Sequence, residues 1–185
     1  MNKRTPAYLV LKSAVLFLSL LCFYPLSATN PQKKEMKELN VKKVSLANVA
    51  VENIPALLDK EKVAFQSINT VNWKAFPYQP EVQFRIAHTD GAILIHYKVK
   101  EASVRAVATG DNGAVWEDAC VEFFSIPAGD GIYYNVECNC VGTLLIGAGG
   151  GRSNREHAPQ EVMDKVQRWS SLGRQSFEER VGACN

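Results

Sequence analysis

The run Val82-Gln-Phe-Arg-Ile-Ala-His-Thr-Asp90-Gly91-Ala-Ile-Leu-Ile-His-Tyr-Lys-Val99 decides the fold class. Val82, Phe84 and Ile86 alternate with Gln83, Arg85 and Ala87; beyond the turn, Ile93, Ile95, Tyr97 and Val99 alternate with Leu94, His96 and Lys98. Period-two alternation sorts side chains onto the two faces of a strand. Asp90-Gly91 between the runs is a hairpin signal, because this dipeptide accepts the backbone conformation that joins neighbouring antiparallel strands. The stretch predicts two paired strands.

Downstream the texture repeats. Val104 to Ala108 is a short run closed by Gly110-Asp111-Asn112-Gly113. The segment Trp116 to Phe124 reads as the next strand, ended by Pro127-Ala128-Gly129-Asp130-Gly131. Tyr133 to Cys140 follows, with Asn135, Glu137 and Asn139 on one face, and Val141 to Ile146 reads as its continuation before a loop at 147–151. Residues 54–65 suggest one short helical turn. Pro159 to Arg168 reads as a helix, with Pro159 in the first turn and Val162, Val166 and Trp169 spaced at i, i+4 and i+7. Short strands between turn signals predict an all-β fold, an antiparallel β-sandwich with one short helical excursion.

The chain has 185 residues, enough for one domain with additions. Its start reads as a signal peptide over residues 1–28. Asn2-Lys3-Arg4 is basic, Ala14 to Leu21 is uncharged and apolar, and Pro25-Leu26-Ser27-Ala28 offers small residues for cleavage after Ala28. That apolar stretch is short for a membrane span. Cys22 raises lipid attachment, but Leu21 before it fits a lipidation box poorly. Residues 29–68, lysine-rich at first, read as an N-terminal arm or linker, and 69–185 as the folded module. Export to the periplasm, cell surface or exterior is expected. Removing 1–28 takes away three of 21 basic residues and none of the 19 acids, leaving 18 against 19 and a net charge near −1. Such a balance gives no support to nucleic-acid binding, which needs a concentrated basic patch. Oligomeric state has no signature in the residues.

Four cysteines follow the leader: Cys120, Cys138, Cys140 and Cys184. Export permits disulfides. Cys138 and Cys140 lie on one strand face and do not suit each other; either can face Cys120, and the connectivity stays open. No second Cys or His pair accompanies them at zinc spacing, so no metal site is expected. The loop Asp111-Asn112-Gly113 is compatible with a structural calcium ion, although turns use the same residues. No other cofactor is expected.

Trp116-Glu-Asp-Ala-Cys-Val-Glu122-Phe-Phe joins an indole to carboxylates on an apolar run. Alternation puts Glu122 on one face with Cys120 and Phe124, and Val121 with Phe123 on the other. An aromatic ring covering sugar C–H groups beside a carboxylate accepting hydroxyl hydrogen bonds is saccharide chemistry. The competing reading is a core tryptophan and a solvated edge glutamate.

Together with Tyr134-Asn135-x-Glu137-x-Asn139, this pattern resembles the family 9-like carbohydrate-binding modules of bacteria. The blocks Arg152-Ser-Asn-Arg155-Glu156, Arg168-Trp-Ser-Ser-Leu-Gly173 and Phe177-Glu-Glu-Arg180 resemble the exported Bacteroidetes versions. The resemblance covers residues 70–185. It implies a β-sandwich that binds sugars without cleaving them, gripping the end of a glycan between two tryptophans. Carried onto this chain, the carbohydrate-binding residues are Trp116, Glu122, Asn139 and Arg152. The family's second tryptophan follows further strands, whereas here no strand is read after Phe177-Glu-Glu-Arg180, so a C-terminally truncated module is expected.

Two other function classes compete. A glycoside hydrolase would use two of Glu117, Asp118, Glu122 and Glu137 across the scissile bond. A haem-binding sandwich would need strong axial ligands, and the sequence after the leader offers only Met36 and Met163 besides the scattered His88, His96 and His157. A non-catalytic saccharide-binding module is the favoured reading.

Overall fold

The computed structural model describes residues 38–46 and 49–184, with the side chains of the last two left aside. The leader expected at 1–28, with Cys22, and Met36 lie outside the described residues. Among the described residues nine strands form two sheets of an all-β sandwich. In chain order they are β1 (Lys42–Lys43), β2 (Gln66–Ile68), β3 (Glu81–His88), β4 (Ile93–Ala106), β5 (Cys120–Ser125), β6 (Tyr133–Asn139), β7 (Leu144–Gly149), β8 (Arg155–His157) and β9 (Phe177–Cys184). Two short α-helices, α1 (Ile54–Lys60) and α2 (Gln160–Met163), accompany them among the described residues.

The hairpin predicted around Asp90-Gly91 is β3–β4, paired from Glu81↔Lys100 to His88↔Ile93. Thr89 closes its turn: its hydroxyl accepts from the N–H groups of Gly91 and Ala92 at 3.2 and 3.0 Å. β4 is longer than expected and absorbs the run at Val104. Its far half pairs with β9, from Glu101↔Cys184 to Ala106↔Phe177. The block Phe177-Glu-Glu-Arg180 is thus itself a strand. Two register shifts against β4 and Gly182 at φ +131° break the alternation that would have announced it.

The other edge of β3 takes β2 antiparallel near Val82–Phe84 and β1 parallel near Ala87–His88. β1 and β2, both within the segment read as an arm, are therefore paired into this sheet. The reason is apolar: Val44, Ile54 and Leu58 are buried with Ala87 and Leu94 in one core cluster. Leu58 has no exposure at all. Arg85, also buried, is held beneath α1 by Asp59 at 2.6 Å and the Pro55 carbonyl at 2.9 Å.

The second sheet runs β5-β6-β7-β8, antiparallel throughout. The strand expected to continue from Tyr133 to Ile146 instead folds back at 140–143. Gly142 at φ +81° supplies the left-handed residue that reversal needs. β7 runs into the expected glycine loop as far as Gly149 and turns back to β8. One face of this sheet carries the second core cluster, Leu144, Ile146 and Met163, with Val136, Cys138 and Val166 packed against it. Here the expected helix 159–168 shrinks to α2. Met163 is its buried residue, Val162 and Trp169 are exposed, and the anticipated 162/166/169 stripe is not the packed face.

Candidate functional site

Trp116 is not on a strand with Glu122. It sits in a tight 3-10 turn, Val115–Glu117, and β5 begins only at Cys120. The turn is anchored on both sides of the indole. Val115 is fully buried before it. After it, the buried Asp118 carboxylate accepts from the N–H groups of Val107 and Ala108 at 2.9 and 3.0 Å and from the Asn139 amide at 2.9 Å. The Arg105 guanidinium donates to the Glu117 carbonyl. Trp116 itself stays 56% exposed, so the core-tryptophan reading fails and the ring is presented outward on a fixed turn.

Asn139 is committed elsewhere. Besides donating to Asp118, its side-chain carbonyl accepts from the Val141 and Thr143 N–H groups at 3.2 and 2.8 Å, which shapes the β6–β7 reversal. This amide is 3% exposed, and both acceptor positions of its oxygen and one of its N–H groups are taken up within the fold, so Asn139 shapes the scaffold.

Glu122 does lie on an open strand face. Directly paired residues share a face, so the registers Cys120↔Asn139, Glu122↔Glu137 and Phe124↔Asn135 set these six together. Glu122 and Phe124 are exposed. Phe124 stacks on Tyr133 with ring centroids 5.5 Å apart, and the Arg155 guanidinium stands 5.6 Å from the Tyr133 ring. The result is a row of Phe124, Tyr133 and Arg155. Gly147 makes room for it: a Cβ there would come within 3.3 Å of the Arg155 Cβ. Arg155 also donates to the Arg152 carbonyl at 3.3 Å. Burial and the facing Glu137 push the Glu122 carboxyl up, while Arg152 and Arg155 pull it down. The structure thus brings Glu122 into the field of Arg152, and sets beside it Phe124, Tyr133 and Arg155, which are not among the four expected sugar contacts. The aromatic signal was present, but its pairing needed the β5–β6 register.

The polar face of β6 is not a solvated surface. Asn135, Glu137 and Asn139 are all buried. Glu137 is only 6% exposed and Asp118 is locked by its donors, so neither flanks an open cleft as a hydrolase carboxylate must. Met163 is 1% exposed and packs with Leu144 and Ile146 in the second core cluster. In the loop considered for calcium, Asp111 is held by both arms of Arg168 at 2.9 and 2.6 Å, and Asn112 spans Ile146 and Ala158. Cys120 and Cys138 are free thiols on opposite faces of the sheet, which removes the pairing between them.

The two sheets, antiparallel except where β1 joins β3, form a β-sandwich with an outward tryptophan beside one of them. The chain belongs to carbohydrate-binding family 9, whose model matches residues 52–185. The match begins within the segment that sequence reading assigned to the arm. Among solved structures, a candidate carbohydrate-binding protein from Bacteroides uniformis is 59% identical, with a TM-score of 0.75. The similarity covers 79% of this chain and 67% of that one. No curated protein matched the chain. Among the described residues no helix is long and apolar enough to cross a membrane.

Proposed function

We propose that the protein is a non-catalytic module that binds a saccharide with Trp116 as aromatic platform and Glu122 as hydroxyl acceptor. Arg152, Arg155 and the Phe124–Tyr133 pair border the same strand face. The observation that carries this reading is Trp116: more than half exposed, yet held on a turn anchored by buried Val115 and Asp118. An exposed indole on rigid backbone serves recognition, since it adds nothing to the core. Family membership supports the ligand class. We also propose that the chain is exported by residues 1–28, which N-terminal sequencing of the cellular protein tests.

Calorimetric titration across a panel of oligosaccharides tests the site. A sugar that binds wild type should bind Trp116→Ala at least tenfold more weakly, about 1.4 kcal/mol, the scale of an interface hot spot. Glu122→Gln should also lose affinity. Trp116→Ala should melt near wild type, because Trp116 is not a core residue. Equal binding by wild type and both variants would reject the assignment.

A further inference from the structure

We propose that Cys120, Glu122 and Glu137 form a binding site for a zinc-class divalent cation on the face that β5 and β6 share, where Glu122 is exposed and Glu137 buried. Their ligand atoms, the Cys120 Sγ and one carboxylate oxygen from each glutamate, lie within 4.8 Å of one another. Zinc holds sulfur at about 2.3 Å and carboxylate oxygen at about 2.0–2.2 Å. Tetrahedral ligands at those distances stand roughly 3.4 Å apart, so small side-chain rotations close the site. A thiolate with two carboxylates suits zinc or cobalt better than calcium or magnesium, which take oxygen ligands.

A second observation points to a cation. Glu137 is 6% exposed; one of its oxygens accepts from the Asn135 amide at 2.6 Å, while Oε2 is buried with no partner. Oδ1 of the fully buried Asn135 is likewise unpartnered. Glu137 faces Glu122 directly across the strand pair, an arrangement that like charges disfavour. Among the described residues no ion pair reaches either glutamate. A cation bound between them gives Oε2 a partner and balances the two carboxylates, and a water on that cation is a donor for Asn135 Oδ1. The Cys120 thiol gives its proton to solvent as the sulfur–metal bond forms. Three protein ligands leave a fourth position for water.

The site is separate from the saccharide reading apart from the shared Glu122, so the test uses metal alone. The full mature chain, stripped with chelator, is titrated with zinc chloride by calorimetry and with cobalt(II) chloride by absorption. One equivalent should bind, with proton release, affinity that rises with pH, and a thiolate-to-cobalt charge-transfer band. Cys120→Ser should abolish the band, and Glu137→Gln and Glu122→Gln should each weaken zinc at least tenfold. Asn135→Ala should weaken it about 10–100-fold, as loss of an outer-shell partner does. Cys138→Ser, on the opposite face, should change nothing. Glu122→Gln alters an exposed residue and keeps the comparison valid if a buried variant fails to fold. No bound ion, or binding that survives both Cys120→Ser and Glu122→Gln, overturns the proposal. Saccharide binding that depends on Trp116 would stand in either case.

Discussion

The Asn139 side-chain amide donates to the buried Asp118 carboxylate at 2.9 Å, so one contact ties the β6–β7 reversal to the turn that carries Trp116. Asp118→Ala would strand that amide and the N–H groups of Val107 and Ala108. Each buried donor left without an acceptor costs about 1–3 kcal/mol. The urea midpoint should fall by the equivalent of several kcal/mol, roughly three such groups' worth. Asn139→Ala should also destabilise, while the folded fraction keeps its saccharide affinity. A selective loss of affinity with an unchanged midpoint would return Asn139 to the ligand.

Acid should weaken the fold through Asp118 and Asp111. Burial opposes the charge on both, but hydrogen bonds outweigh it: chiefly the Val107 N–H and Asn139 for Asp118, and Arg168 and the Leu144 N–H for Asp111. Their folded values lie below the unfolded value of about 3.9. The unfolded chain then takes up protons first, so this stability is fully present above about pH 3.9 and disappears as pH falls through the folded values. Glu122 has the opposite sign, because burial and Glu137 raise it. Its contribution is complete below about pH 4.3 and is lost as pH rises through its folded value. Glu122→Gln should therefore match wild type in acid and melt higher at neutral pH, which thermal melts across pH will show.

Gly149→Ala should disrupt the β7–β8 hairpin. A Cβ at this position would stand 1.8 Å from the Asn154 backbone carbonyl oxygen, so backbone has to move. The expected outcome is a lower melting temperature and a displaced Arg152–Arg155 segment, read as weakened saccharide binding. Gly150→Ala, which meets nothing within 4 Å, is the control.

Leu58→Ala should cost about 2–5 kcal/mol, the range for a fully buried leucine. A leucine in a solvated arm would cost almost nothing. Denaturant titration separates the two and tests whether the segment before Asn69 belongs to the cooperative unit.

The β3–β4 hairpin was legible because its signals are local: unbroken alternation and an Asp-Gly turn. Trp116 was read onto β5 because burial of Asp118 depends on backbone donors at Val107 and Ala108, outside any local window. The burial of the polar side of β6 depends likewise on contacts outside a local window. Asn139 finds its partners in its own turn and in Asp118, and Gly147 lets Arg155 lie across the sheet. Short β1 and β2 lack enough residues to show a period, and the bulges of β9 erase one. The Cys120–Glu122–Glu137 cluster exists only through strand register. A search for Cys-x-Cys spacing could not find it, since its second carboxylate comes from the neighbouring strand.

Anchoring of the Trp116 turn has a thermodynamic consequence. With Val115 buried and Asp118 held by three donors, the backbone beneath the indole is ordered before any ligand arrives. Only side-chain rotation remains to be frozen on contact, at about 0.5–1.5 kcal/mol. Complex formation should then proceed without a loop-ordering step, in a single kinetic phase whose rate scales with ligand concentration.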